Sequence, residues 1–213
     1  MSTANPFPLP AIITNPVTHT VAANTLFWRV HPSKYAERTF NPGLGNARFS
    51  PINDSSGAPI PTMYAGSHIS VALMETVYHD VSFGQGLKTY DRSRFGGLVI
   101  SCITSTRPLC LAKLFGPATR NYPLEHGGLT QSDALHYPST REWARALHAS
   151  GPIDGLIWVS RQDSGQMALM LFGDRVSASD LQIIQPSFPI TEHPDASVLL
   201  EELAAEMRVI LLD

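Results

Sequence analysis

An α+β fold is what this sequence predicts, on three observations. Strand-like segments outnumber helical ones. The helices fall between them without the regular strand–helix alternation of a doubly wound sheet, and no internal repeat appears. At 213 residues the chain suits one domain with at most a small appendage. With 43% hydrophobic and 15% charged residues it can bury a sizeable core.

Taken in order, residues 1–25 are proline-rich and aperiodic, and are expected to form an extension that wraps or trails beside a domain spanning 26–213. "LFWRVH" (Leu26 to His31) has the aromatic and branched residues of a short strand. Gly43 and Gly45 punctuate a loop that feeds an extended piece, Ala47 to Ser50. After a second loop, "TMYAG" is a strand that runs into an apolar helix beginning near Ser67, the expected N-cap. The polar, glycine-rich span 83–95 precedes a strong strand, "GGLVISCIT", and a further one, "LCLA". Residues 116–136 read as mostly loop, with room for a helical turn.

The signals then sharpen. Ser139 and Glu142 have capping-box spacing, Thr140, Trp143, Ala144 and Leu147 share a helical face, and Gly151-Pro152 ends that helix. "DGLIWVS" and "QMALMLFG" are buried strands joined by "RQDSG", and "LQIIQ" is another. "SVLLEELAAEMRVILL" reads as a closing amphipathic helix with Leu200, Leu203, Ala204, Met207 and Leu211 inward.

Composition excludes several classes. The net charge is −3 and the 15 basic residues form no stripe, so direct nucleic-acid binding is disfavoured. No apolar run reaches the length of a membrane span, and the start lacks the pattern of a signal peptide, so the cytoplasm is expected. Cys102 and Cys110 are then thiols rather than a disulfide. "GLGNAR" has Arg48 where a nucleotide-binding turn needs its third glycine, and the eight histidines lack ligand spacing, so neither a bound cofactor nor a metal is expected.

Five residues stand out, each with an ordinary reading beside it. Arg29 interrupts an apolar strand and by alternation reads as an outward arginine, as does Arg48 in "ARFS". Tyr64 suits strand packing, and Ser160 suits a strand end leading into a turn. Glu75 is a lone carboxylate among Val71, Ala72, Leu73, Met74 and Val77, where a surface or structural charge is the common explanation.

Together they form a pattern. "LFWRV", "ARFS", "MYAG", "ALMET" and "GLIWVSRQ", in that order, resemble the RES-domain family, with Arg29, Glu75 and Ser160 at its arginine, glutamate and serine and with Arg48 and Tyr64 at the accompanying positions. The resemblance runs from Leu26 to the C-terminal helix. It implies an ADP-ribosyltransferase-like fold and the toxin of a toxin–antitoxin pair that consumes NAD+ as substrate by hydrolysis or phosphorolysis, held in check by an Xre-type antitoxin. It also leaves room for a transferase that modifies a protein, or a non-catalytic module that only engages the antitoxin. Whether copies of the chain associate is left open.

The implied chemistry needs these residue types. Cleaving nicotinamide from ribose passes through an oxocarbenium-like transition state, which one carboxylate, Glu75, can stabilise. Nicotinamide leaves as a neutral amide, so no second acid is required. Arg29 and Arg48 offer planar, permanently charged donors for the pyrophosphate. Tyr64 offers a ring face and a hydroxyl, and Ser160, with no base identifiable beside it, a hydrogen bond that positions rather than attacks.

Overall fold

The computed structural model describes residues 10, 12–82, 84, 86–122, 128–132, 134–163 and 165–213. The strands are β1 (Thr18–Val21), β2 (Leu26–Pro32), β3 (Ile52–Asn53), β4 (Pro59–Ile60), β5 (Thr62–Gly66), β6 (Lys88–Asp91), β7 (Leu98–Ser105), β8 (Leu109–Lys113), β9 (Gly155–Val159), β10 (Met167–Phe172), β11 (Leu181–Pro189) and β12 (Val209–Leu212). Three helices, α1 (Ile69–Thr76), α2 (Tyr137–Ala149) and α3 (Pro194–Glu206), lie between them. The architecture is mixed α+β. Eight strands form one sheet in the order β1-β8-β9-β10-β5-β2-β7-β11, antiparallel except for the parallel pair β8 and β9.

Alternation along the strands sorts the core into three clusters. In β10, Ala168, Met170 and Phe172 face a cluster that α2 covers with Trp143, Ala144 and Leu147. Leu169 and Leu171 face the opposite side, where they meet Phe27 of β2, Ile103 of β7 and Leu109 and Leu111 of β8. No helix contributes to that second cluster among the described residues, so distant strands of one sheet bury each other, and the sheet must curl. The third cluster is built by α1 and α3 over Val30 and Ile100.

The curl has a seam. β2 and β5 are paired at a single position, Trp28 opposite Gly66. Continued ladder pairing would set Tyr64 against Val30 and Thr62 against Pro32, but the strands part there. Helix α1 leaves the closed end of this seam. A Cβ on Gly66 would come within 2.7 Å of Val71 Cγ1, so glycine is what lets the helix start this close to the strand. Ile69 to Met74 are all buried, because the sheet lies on one side of α1 and α3 on another. Glu75 follows them at the open end.

Several elements differ from expectation. The N-cap of α1 is His68, whose Nδ1 accepts from Ser70 N; Ser67 turns its hydroxyl to Gln166 Oε1 at 3.1 Å and accepts from Met167 N. Ser139 and Glu142 form no capping box, because α2 already begins at Tyr137 and places Ser139 inside the helix; Glu142 pairs with Arg145 instead. A capping box does occur, between Ser177 and Asp180 at the head of a 3₁₀ turn. The final helix starts at Pro194 and stops at Glu206. Arg208 then takes φ 57°, and Val209–Leu212 continues as a strand parallel to β6, which itself lies in the span 83–95. Leu200 and Ala204 face inward as expected, whereas Leu211 belongs to β12. Within the leading 25 residues, Thr18–Val21 adds β1 to the edge of the large sheet. Both cysteines are free thiols, and no helix among the described residues is long and apolar enough to cross a membrane.

Candidate active site

A cavity of about 580 Å³ opens where β2 and β5 part, within the range of small-molecule sites. Arg29 and His31 reach it from β2, Thr62, Met63 and Tyr64 from β5, and Glu75 from the last turn of α1. The loop 39–48 forms one wall and ends at Arg48. Of the permanently charged lining residues, Arg29, Lys34 and Arg48 are cations and Glu75 alone is an anion. The wall therefore favours an anionic ligand.

The carboxylate is held from two sides. Ser160 Oγ donates to Glu75 Oε1 at 2.7 Å, and Arg48 Nη1 lies 3.8 Å from Glu75 Oε2. The Ser160 hydroxyl also accepts from Gln162 N and Asp163 N, each at 3.1 Å. A hydroxyl has one proton and two lone pairs, so with both lone pairs engaged the proton points to Glu75. Ser160 is 2% exposed and sits behind Glu75 rather than on the cavity wall. It is a support for the carboxylate, and its oxygen has no lone pair left for attack. Glu75 itself keeps 19% of its side chain exposed, toward the cavity.

Arg48 is fixed through its neighbours. The Tyr64 hydroxyl accepts from Phe49 N at 3.1 Å and from Ser50 Oγ at 3.3 Å, and Thr140 Oγ1 donates to the Arg48 carbonyl. Burial pushes the Tyr64 phenol up to about 12, so it stays protonated, and its ring meets Trp158 edge-on at 6.3 Å. Tyr64 thus lines the cavity while its hydroxyl braces the Arg48 loop.

Arg29 is buried, not outward. β2 lies between β5 and β7 with α1 across it, so both of its faces are covered and alternation no longer marks exposure. Its Nη1 donates to the carbonyls of Glu37 at 2.6 Å and Thr39 at 3.1 Å, which anchors the start of the wall loop. Desolvation pulls the guanidinium down to about 10, with Glu37 opposing, and leaves it a cation at neutral pH. Arg29 Nε and Arg48 Nε are buried and lack a hydrogen-bond partner among the described residues. The structure thus gathers Arg48, Glu75 and Ser160 into one linked group, with Arg29 and Tyr64 on the same cavity.

Sequence reasoning passed over His31, two residues beyond Arg29 and therefore on the same strand face. Its ring contacts Ser101 Oγ at 3.2 Å, and desolvation followed by the Arg29 charge brings it down to about 4, so it is neutral. Gln162 was passed over too, and His79, which reads from the sequence as an ordinary helix-end residue, lines the cavity with it beside Glu75. No group of His, Cys, Asp and Glu among the described residues is arranged to hold a metal ion.

Residues 26–191 match the RES domain. The chain belongs to the RES-domain family. Arg29, Arg48, Tyr64, Glu75 and Ser160 all fall within the matched span. Among solved structures, a chain in the M. tuberculosis MbcT–MbcA toxin–antitoxin complex shares the fold at TM-score 0.60 and 12% identity, over 87% of this chain and 92% of that one. No curated protein matches the chain. In this RES domain Arg29, Arg48, Tyr64 and Glu75 line one cavity at the seam of the curled sheet, and Ser160 stands directly behind Glu75.

Proposed function

We propose that this RES domain cleaves NAD+ at the nicotinamide–ribose bond and acts as the toxin of a toxin–antitoxin pair. The observation that carries the reading is Glu75, a lone carboxylate fixed by Ser160 and Arg48 in an otherwise cationic cavity. As the C1′–N bond breaks, positive charge develops on the ribose while the bonding electrons leave with nicotinamide. A carboxylate fixed beforehand at that point stabilises the transition state more than the ground state. Water or phosphate then adds at C1′, giving ADP-ribose and a proton in the first case.

The remaining groups bind. A pyrophosphate would accept from the arginines, and relieving the unpartnered donors Arg29 Nε and Arg48 Nε would offset a cost of about 1–3 kcal/mol each. Tyr64 and Trp158 give the cavity aromatic wall for a flat ring. Hydrolysis, phosphorolysis and transfer to a protein share this site and differ only in what attacks C1′.

The partnership rests on the shared fold with a chain of a toxin–antitoxin complex and on family membership. The partner is an antitoxin, of Xre type by resemblance. The deciding experiment incubates purified protein with NAD+ and measures free nicotinamide. Release by the wild type and none by Glu75→Gln is expected; no release by the wild type would leave a binding module. Repeating the assay with phosphate, and with labelled NAD+ and cell protein, identifies the acceptor.

A further inference from the structure

Ser160 aims Glu75, but Ser160 is itself aimed by a turn. The backbone N–H groups of Gln162 and Asp163 fix its hydroxyl, so the direction of the Ser160–Glu75 bond is only as firm as residues 161–163. That turn is tied back onto α1, the helix that carries Glu75, at two places. Near the start of α1, Ser70 Oγ donates to Asp163 Oδ2. Beyond its end, Gln162 Nε2 donates to the His79 carbonyl at 3.2 Å. Ser70 is buried in the first turn; its backbone N–H donates to His68 Nδ1 at 3.3 Å and its Oγ lies 2.8 Å from the same ring nitrogen, so the Ser70 end of the first tie is held in place.

These bonds close a ring: α1 at Ser70, the Asp163 side chain, the Asp163 backbone, Ser160, and α1 again at Glu75. We propose that Ser70 and Asp163 are positioning residues for the Glu75 carboxylate, acting through Ser160, with Gln162 as a second tie at the cavity side. Neither Ser70 nor Asp163 lines the cavity. The effect therefore travels by geometry: loss of the Ser70–Asp163 bond frees the turn to shift, the two N–H groups leave Ser160 Oγ, and its proton is no longer confined to Glu75. Displacements near 1 Å from an aligned geometry are costly, on the order of 10²-fold in rate.

The value of this arrangement to catalysis rests on the NAD+ reading; the arrangement itself does not, and the test separates them. Glu75 carries a carboxyl carbon observable by ¹³C NMR in protein labelled at glutamate, assigned with Glu75→Gln. Asp163→Ala and Ser70→Ala should shift or broaden that resonance while thermal unfolding stays cooperative. Asp163→Asn retains an acceptor oxygen and should restore it. Gln162→Ala supplies an independent tie should either variant fail to fold. In NAD+ turnover, Asp163→Ala should lower kcat about tenfold or more with KM within about twofold, and Asp163→Asn should recover most of it. On a Ser160→Ala background, Asp163→Ala should add little, because its route to Glu75 is already cut; a purely structural role would add its full effect. An unmoved Glu75 resonance in folded Asp163→Ala and Gln162→Ala overturns the proposal, whatever the enzyme does with NAD+. A moved resonance in a protein that releases no nicotinamide keeps the positioning ring and removes the NAD+ reading.

Discussion

Ser160 and Glu75 stand 85 positions apart in the chain and meet at 2.7 Å, oxygen to oxygen. The bond joins the end of β9 to the last turn of α1 across the open end of the seam between β2 and β5. Because both lone pairs of the serine are engaged by backbone N–H groups, the carboxylate has a fixed donor and a fixed rotamer.

Glu75→Gln keeps an acceptor for Ser160 and removes only the charge. NAD+ turnover should fall by on the order of 10²–10³-fold or more, the range for losing a preorganised charge-stabilising group, while NAD+ affinity stays within about tenfold. Ser160→Ala keeps the charge and loosens it, and should cost about 10–100-fold in kcat. Nicotinamide release and calorimetry of NAD+ binding measure the two effects.

Arg29→Lys is not a conservative change. One guanidinium nitrogen already spans the carbonyls of Glu37 and Thr39, and a lysine cannot hold both and still present a planar fork to a phosphate. NAD+ binding should weaken by about 1.5–3 kcal/mol, read by calorimetry. Glu142→Gln is the control. It breaks an exposed pair with Arg145 and should stay within about 0.5 kcal/mol in stability, with unaltered kinetics.

Gly66→Ala tests the closed end of the seam. The added Cβ meets Val71 Cβ and Cγ1 at 2.8 and 2.7 Å, in a buried contact where neither the strand nor the helix can retreat freely. Urea unfolding should show a loss of about 1–3 kcal/mol. NAD+ turnover should fall as well, because Glu75 rides on the displaced helix.

His31 gives the stability a pH dependence with a definite sign. Burial and the Arg29 charge lower it from 6.5 to about 4 in the folded protein, so between those values the unfolded chain binds more protons than the native one. Its contribution is present above about pH 6.5 and is lost as the pH falls toward 4. Denaturant titrations across that window should show stability rising with pH, and His31→Gln should flatten the slope.

An antitoxin that covers the mouth near Lys34, Tyr35 and Leu44 would exclude substrate. NAD+ titrated into the purified toxin–antitoxin complex should then give little heat, and excess NAD+ should weaken the complex. Full NAD+ binding to the complex would point instead to inhibition by distortion.

The misread elements share a cause. "RVILL" extends the apolar pattern of α3 for another turn, yet Arg208 leaves the helix and Val209–Leu212 finds a partner in β6; a short apolar run suits either structure until a neighbour decides. Ser139 has capping-box spacing, but the helix begins before it, and spacing alone does not locate the first turn. Arg29 alternates like a surface residue on a strand whose two faces are both covered.

Sequence alone determined the α+β class, the buried strands "GLIWV" and "MALMLF", the inward face of α2 and the resemblance to the RES-domain family, because these depend on residue type, short-range periodicity and the order of motifs along the chain. The tertiary structure decided what Arg29, Arg48, Tyr64, Glu75 and Ser160 do to one another. It set Ser160 behind Glu75 rather than on the cavity wall, turned the Tyr64 hydroxyl toward the Arg48 loop, placed His31 beside Arg29, and tied Asp163 to Ser70. Apart from the His31–Arg29 pair, which lies within β2 and owes its low His31 pKa to burial, each of these relationships joins segments distant in the chain. The curl of the sheet follows from burying apolar faces of distant strands against each other, which no local pattern encodes.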